Sequence, residues 1–537
     1  DQVIKLQQQG FAAERIHSGR SREQSREVCR DYLSGNLDFL FIAPERLSVP
    51  GFPEMLGKRK PTLIAIDEAH CISQWGHDFR PDYRMLNERL PLLRPAPIVA
   101  LTATATPRVQ NDIIEQLAAP KAHRFIHGFR RDNIAIEVVE MKPSLRNDST
   151  KRLLSLKGRT PAIVYAPTRK KAEQLADELG EAFPTAAYHA GMTPDRRDKV
   201  QSAFLSGTLD VIVATVAFGM GIDKANVRTV VHLALPASVE NYYQEIGRSG
   251  RDGKPARAFL LHGFIDRRTH EWFFERDYPD IKLLTKLFSL LSDKPISRDQ
   301  LQKKAKMDGD TFEKALEKLW IHGGAIVTPN EYATRGPDVW REPYRAQIEH
   351  RRGQLEEMAR FADTRSCRMQ RLVRHFGDQA DSGEPCGQCD TCAPNETLAQ
   401  ESIEATPGQI EAMERILKTL ATDRAPSSGR LHSELFGTKL DRDKFEILLA
   451  ALHRAGLVHI EEDQFESEGR KIEFQRPVIT TSGRRANAGD VANVRIPSSG
   501  ESGQSKKRRS SRKKPGSRSK TSPKKRTRKS VSPPRAA

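Results

Sequence analysis

Two acidic residues, Asp67 and Glu68, directly follow a short apolar run, LIAI, at residues 63–66. A run of that kind, ended by charge, reads as a buried strand of a parallel sheet. The carboxyl ends of such strands are where ligands bind in open α/β sheets. Adjacent carboxylates there suit phosphate hydrolysis. Asp67 can hold Mg²⁺ through water, because that ion keeps part of its hydration shell. Glu68 can orient or deprotonate the water that attacks a γ-phosphate. An ordinary acid-rich helix start would read the same way. Just beyond stand Trp75, His77, Phe79 and Arg80, a loop of aromatics and cations that could stack on bases.

Other stretches have the right residue types to complete such a site. The run TATAT at 102–106 follows an apolar run at 98–101, and its hydroxyls can bridge one site to another part of the molecule. In ATVAFGMGIDKANV (214–227), Gly219 and Gly221 allow a tight backbone and Asp223 offers a ribose or phosphate-network contact. In YYQEIGRSGRDG (242–253), Gln244, Arg248 and Arg251 read as a helix start, with two guanidinium forks suited to phosphate oxygens. One of them could act as an arginine finger; a solvated Arg-rich turn is the alternative. Four cysteines, Cys367, Cys386, Cys389 and Cys392, have the spacing C-x₁₈-C-x₂-C-x₂-C. Four thiolates suit tetrahedral Zn²⁺; free cysteines or an iron–sulfur cluster are the alternatives. Clustered thiols beside the isolated Cys29 and Cys71 point to a metal site in a reducing compartment, not a disulfide framework.

The elements that must position these residues alternate. Helix, strand and helix patterns recur through residues 1–130 and again through 131–265, which implies parallel α/β sheets with right-handed crossovers. Residues 266–345 read as a mostly helical insertion with a helix-turn-helix look at 296–327. A charged helix at 346–366 leads into the cysteines, and residues 346–395 form a helical zinc-binding subdomain. Residues 404–480 read as helices followed by strand-like runs at 458–460 and 471–474. Phe312, Leu316, Leu319 and Gly323 recur as Phe445, Leu449, Leu452 and Gly456, at a constant offset of 133. Each set is an amphipathic helix ended by Gly and followed by a β-prone run, as in the recognition helix and wing of a winged helix. A generic amphipathic helix with a Gly cap would look similar. From about Arg484 the chain is rich in Ser, Lys, Arg and Pro without periodicity, and residues 484–537 read as a disordered basic tail.

The net charge of +18 is concentrated at that end: 505–537 holds 15 Lys/Arg and no acid. Such a tail can neutralise phosphates without sequence preference; a nuclear localisation signal and a solubilising tail are the competing readings. No apolar run is long enough for a transmembrane helix.

Taken in order, IAPERL, DEAHCISQWGHDFRPDY, ALTATAT, AAYHAGM, ATVAFGMGIDKANVRTVVH and YYQEIGRSGRDG resemble the motifs of the RecQ family of superfamily 2 DNA helicases. The aromatic loop after DEAH is the particular mark of that family. The resemblance implies two RecA-like lobes, the first incomplete, with ATP between them, translocation on single-stranded DNA and three-prime to five-prime unwinding. It places Asp67 and Glu68 as the Mg²⁺ and water residues. Gln244, Arg248 and Arg251 would reach phosphates from the second lobe, with Arg251 as the finger. Trp75, Phe79 and Arg80 would lie in the loop that couples DNA to hydrolysis. Thr168 and Thr215 would touch the DNA backbone. It also implies a structural zinc, a winged helix at 404–480 that binds duplex DNA, and action in recombination, repair and replication. The implied partners are single-stranded and duplex DNA, single-stranded-DNA-binding protein and other repair proteins. The implied state is a monomer, with no membrane association, in the cytoplasm or nucleoid of a bacterium or the nucleus of a eukaryote.

The sequence departs from the family in one respect. No G-x-x-x-x-G-K-[ST] phosphate loop is present. The nearest run, GFPEMLGKR at 51–59, has one residue too many between glycines and Arg where Ser or Thr is needed. The first residue is Asp1, within a helix-like run, so the chain reads as a fragment that binds ATP poorly and unwinds nothing by itself. The alternative is a non-catalytic DNA-binding or strand-annealing protein on a helicase scaffold.

Overall fold

Six parallel strands form the largest sheet, in the spatial order Ile134–Glu140, Ala256–His262, Thr229–His232, Ala162–Tyr165, Val211–Ala214, Thr185–Tyr188. The structure is a computed structural model describing residues 2–497, apart from 18, 77, 85, 220–222, 329–330, 365, 400–401, 423–425 and 468–469. Ile163, Val164, Ile212, Val213, Val230 and Val231 are fully buried. Both faces of these strands are therefore covered, which is why they read as unbroken apolar runs and not as alternations. The strand Ile134–Glu140 and its neighbour Ala256–His262 are absent from the sequence reading. Buried Glu137 breaks the apolar pattern of the first. Its carboxylate is satisfied from afar, by Arg257 and by the backbone amides of Leu398 and Ala399 at 2.8 and 2.9 Å.

The first 130 residues hold two parallel strand pairs: Ala13–Ile16 with Phe39–Ile42, and Ile64–Ile66 with Ile98–Ala100. Their core is built from Ile16, Val28, Ile66, Ile72 and Val109. The buried strand expected at 63–66 is only partly buried. Ile66 is buried, but Leu63 is 52% exposed and Leu101 50%. Among the described residues no helix covers that face.

Residues 281–335 have the element order of a winged helix, the possibility that the repeat raised for this insertion. Helices Ile281–Leu290, Arg298–Ala305 and Gly309–Ile321 pack on an antiparallel sheet ordered Ile296–Ser297, Tyr332–Arg335, Ala325–Val327. A second set follows, with helices Pro407–Thr422, Ser428–Leu435 and Arg442–Arg454 and a long hairpin, Val458–Ser467 with Arg470–Ile479. The repeat at offset 133 is structural. Phe312, Leu316, Leu319, Phe445, Leu449 and Leu452 are all buried. Gly323 and Gly456 both take the left-handed conformation, at φ +78 and +72, which costs glycine nothing sterically.

Between the winged helices, Arg341–Asp363 and Arg368–His375 carry the cysteine region. The disorder expected from Arg484 does not begin there. Helices Thr481–Arg485 and Ala488–Ala492 are followed by Arg495–Pro497, which pairs antiparallel with Ser402–Glu404. Val491, Val494 and Ile496 complete the core built by the helices at 407–454 and the hairpin at 458–479. These three apolar residues are the signal that the polar composition around them hid. Residues 498–537 lie outside the described residues.

Candidate functional site

The DEAH turn is held by a strained backbone. Glu68 sits at φ 50, ψ 43, left-handed for a residue with a Cβ, a conformation that persists only where surrounding structure over-determines it. That structure is on hand. Asp67 accepts a hydrogen bond from the Glu68 amide at 2.9 Å, and the Ala69 amide donates to Leu101 O at 2.8 Å. His70 is 1% exposed. Its Nδ1 lies 3.1 Å from Thr102 Oγ1 and 3.2 Å from Glu68 Oε2. The buried imidazole thus ties the carboxylate to the Thr-rich run. His70, Cys71 and Asp78 also bring one donor atom each within 4.8 Å of the others, but Asp78 is gripped by Arg80 at 2.8 and 3.1 Å.

A cavity of about 990 Å³ opens between the first strand pairs and the six-stranded sheet. Glu68 and the Thr-rich run line one side; Gln244, Arg248 and Arg251 line the other. The structure therefore brings together carboxylate and guanidinium groups that are some 180 residues apart in the chain. Arg248 and Arg251 do not start a helix, as the sequence suggested. The helix Val239–Ile246 ends before them, and both stand on the turn segment that follows it, residues 247–251. Arg248 is 5% exposed and its Nε has no hydrogen-bond partner. Arg251 donates to Asp223 at 3.2 Å, and Asp223 also pairs with Lys5 from the first lobe. The Lys5 hydrogen bond, with that of Arg251, holds the Asp223 carboxyl below the usual carboxylate range. Asp67 is reached by Gln2 Nε2 at 3.5 Å. Gly221 and His77 lie outside the described residues.

The residues suggested for nucleic-acid contact are spread over both lobes. Thr168 and Thr215 follow adjacent parallel strands, whose last residues Tyr165 and Ala214 are in register. Thr168 also caps the helix Arg169–Gly180, accepting from the Lys171 amide at 3.2 Å, so its hydroxyl already has a structural task. Trp75, Phe79 and Arg80 are all half-buried on the loop after DEAH. Gly76 is required there, because a Cβ would stand 2.4 Å from the carbonyl oxygen of His70.

The four cysteines converge. Their Sγ atoms lie within 4.8 Å of one another, and thiolates around tetrahedral Zn²⁺ at about 2.3 Å stand about 3.8 Å apart. The knuckle is docked on the large sheet by a device the sequence reading missed. Arg368, next to Cys367, bonds Asp390 at 2.9 and 3.0 Å and the carbonyls of Phe361 and Ala362 at 2.9 and 3.1 Å. Asp390 in turn accepts from the Val138 amide at 3.0 Å. His375 bonds Glu240 at 2.8 Å, and Arg130 forks onto Asp381. Cys367, Cys389, Phe361, Leu372 and Phe376 share one apolar core with the sheet.

Comparison with known proteins agrees with this layout. Residues 1–113 match the DEAD/DEAH box helicase family, 146–253 the helicase conserved C-terminal domain, and 335–393 the RecQ zinc-binding family. The chain is similar to "ATP-dependent DNA helicase RecQ" of Haemophilus influenzae, 36% identical over 73% of this chain and 52% of that protein. It is 31% identical to the protein of the same name from Pasteurella multocida, over 89% of this chain and 67% of that one. It is also 31% identical to "Probable ATP-dependent DNA helicase RecS" of Bacillus subtilis, over 75% of this chain and 80% of that one. The chain thus spans between half and two thirds of the length of the two RecQ relatives. The RecQ zinc-binding match and the convergent thiols identify the cluster as a zinc site, and the DEAD/DEAH match implies ATP.

Proposed function

The chain belongs to the RecQ family of DNA helicases, and we propose that it forms the motor and DNA-binding parts of an ATP-dependent three-prime to five-prime DNA helicase. The cavity between the lobes carries this reading. It sets Glu68 opposite Gln244, Arg248 and Arg251, and leaves a buried guanidinium nitrogen without a partner. Phosphate oxygens would satisfy that nitrogen. When bound, ATP with Mg²⁺ supplies the cleavable γ-phosphate and the cation that offsets its charge. Asp67 would hold that Mg²⁺ through water. Glu68, fixed by His70, orients or deprotonates the attacking water. Gln244, Arg248, Arg251, Gly221 and Asp223 serve the phosphates and ribose from the second lobe, with Arg251 countering developing charge.

Single-stranded DNA is the proposed track, met by Trp75, His77, Phe79 and Arg80 on the loop and by Thr168 and Thr215 at the strand ends. The winged helix at 404–480 is proposed to meet duplex DNA. The zinc, held by Cys367, Cys386, Cys389 and Cys392, braces the helices on the second lobe.

The test uses a polypeptide that carries a phosphate loop ahead of Asp1. Glu68→Gln should keep single-stranded DNA binding and lower DNA-stimulated ATP turnover by about 10²-fold or more, the scale of losing a general base. Turnover at the unsubstituted rate would refute the assignment.

A further inference from the structure

Trp75 is docked between two parts of the molecule. On one side, the Arg108 guanidinium lies 3.6 Å from the centre of its indole ring. Arg108 belongs to Pro107–Gln116, the helix that follows the Thr-rich run. On the other side, His350 of the helix Arg341–Asp363 stands perpendicular to the indole, with ring centroids 5.4 Å apart and planes at 87°. His350 Nε2 lies 2.8 Å from the Trp75 carbonyl oxygen. A carbonyl only accepts, so Nε2 carries the proton and donates. Burial lowers the pKa of His350 and favours the neutral ring.

A second contact fixes the same geometry. Gly377, just past the helix Arg368–His375, sits at φ +67, and a Cβ there would be 2.7 Å from Pro107 Cγ. The zinc-bearing region therefore meets the first lobe both where His350 reaches Trp75 and where Gly377 approaches Pro107, the neighbour of Arg108. Trp75 is half-buried, with Arg108 over its ring and His350 against it, so a base stacking there has to displace one of these neighbours.

We infer that His350 is a positioning residue that latches the aromatic loop onto the zinc-bearing helices, and that single-stranded DNA must break this contact to engage Trp75. The inference rests on the reading of the loop at 75–80 as a DNA-contact element. It gives the zinc region a task beyond bracing, because the metal-pinned helices set the resting position of the loop.

The experiment measures binding of a fluorescein-labelled oligothymidylate by anisotropy, together with Trp75 emission taken as the difference from Trp75→Phe. His350→Ala should bind the oligonucleotide about 2- to 12-fold more tightly, the equivalent of one net hydrogen bond. Its Trp75 emission should shift to the red without DNA. His350→Gln retains an N–H donor and should stay close to the unsubstituted protein in both readouts. Zinc content of one per chain in each variant reports an intact fold. Unchanged or weaker binding by His350→Ala, or an unshifted Trp75 spectrum, overturns the latch. Trp75→Ala separates the two readings. If it leaves affinity unchanged, the DNA-contact role of the loop fails and the latch with it. If it weakens binding while His350→Ala fails to tighten it, the latch alone falls.

Discussion

Replacing Arg368 with Ala should be among the most damaging changes outside the cavity between the lobes. Its side chain is 8% exposed and that of Asp390 14%. Truncation removes both bonds to Asp390 and both bonds to the carbonyls of Phe361 and Ala362. Asp390 then keeps the Val138 amide at 3.0 Å as its main partner in a buried setting. Breaking a buried ion pair from one side costs about 3–5 kcal/mol, since the remaining charge is left uncompensated. That is a large part of a typical stability of about 5–15 kcal/mol. The cost should fall on the zinc region first, because Arg368 adjoins Cys367 and Asp390 adjoins Cys389. Urea unfolding followed by far-ultraviolet dichroism measures the loss, and zinc release to a chromogenic chelator reports where it falls. Adding Asp390→Ala should recover part of it, because no charge is then stranded. The coupling should be about 1–3 kcal/mol. A loss under about 1 kcal/mol in Arg368→Ala, or strict additivity of the pair, would refute the claim that this ion pair docks the knuckle.

Other expectations bear on the same frame. Burial works against a charged Glu240, yet the His375 hydrogen bond and charge hold its pKa down at about 2. For His375, burial likewise favours the neutral ring, but Glu240 outweighs it and raises the pKa above 6.5. The depressed Glu240 contributes stability above its ordinary 4.5 and loses it as pH falls toward 2. The raised His375 contributes fully below 6.5 and loses its share as pH climbs through the raised value. The stability difference between the protein and His375→Gln should thus be largest between pH 4.5 and 6.5 and shrink as pH climbs through the raised His375 value; a difference that grows with pH above 6.5 contradicts the pairing. Cys389→Ser removes a fully buried thiol and should abolish stoichiometric zinc and expose 341–393 to protease; full metal content would eliminate the site. Gly76→Ala should cost about 1–3 kcal/mol, as overpacking does, because its Cβ meets the His70 carbonyl oxygen at 2.4 Å. Gly180→Ala, with open space around the new methyl, serves as the control, and equal unfolding midpoints for the two would discount the clash.

Much of the architecture was legible because it depends on local pattern. The strands 162–165 and 211–214 were readable to the residue, since burial on both faces writes itself as an uninterrupted apolar run. The repeated amphipathic helix was readable because its apolar stripe ends in Gly at the same spacing in both copies. Failures came where a local pattern was overridden from far away. Glu137 looks wrong for a buried strand until Arg257 and two amides near residue 398 arrive to satisfy it. Residues 484–497 look unstructured until Arg495–Pro497 finds Ser402–Glu404.

The same division runs through the site. Sequence alone picked out the candidate groups: the DEAH carboxylates, the two arginines of the GRSGR run, the aromatic loop and the four zinc-spaced cysteines, because chemistry of this kind is carried by residue type and short spacing. Tertiary structure alone decided how they are held. It placed Glu68 in a left-handed turn and buried Arg248 with a free Nε. It parked Arg251 on Asp223, and set His350 against Trp75 across 275 residues of chain. Those are long-range pairings between side chains whose partners are chosen by the packing of whole lobes, and no periodicity within either segment encodes them.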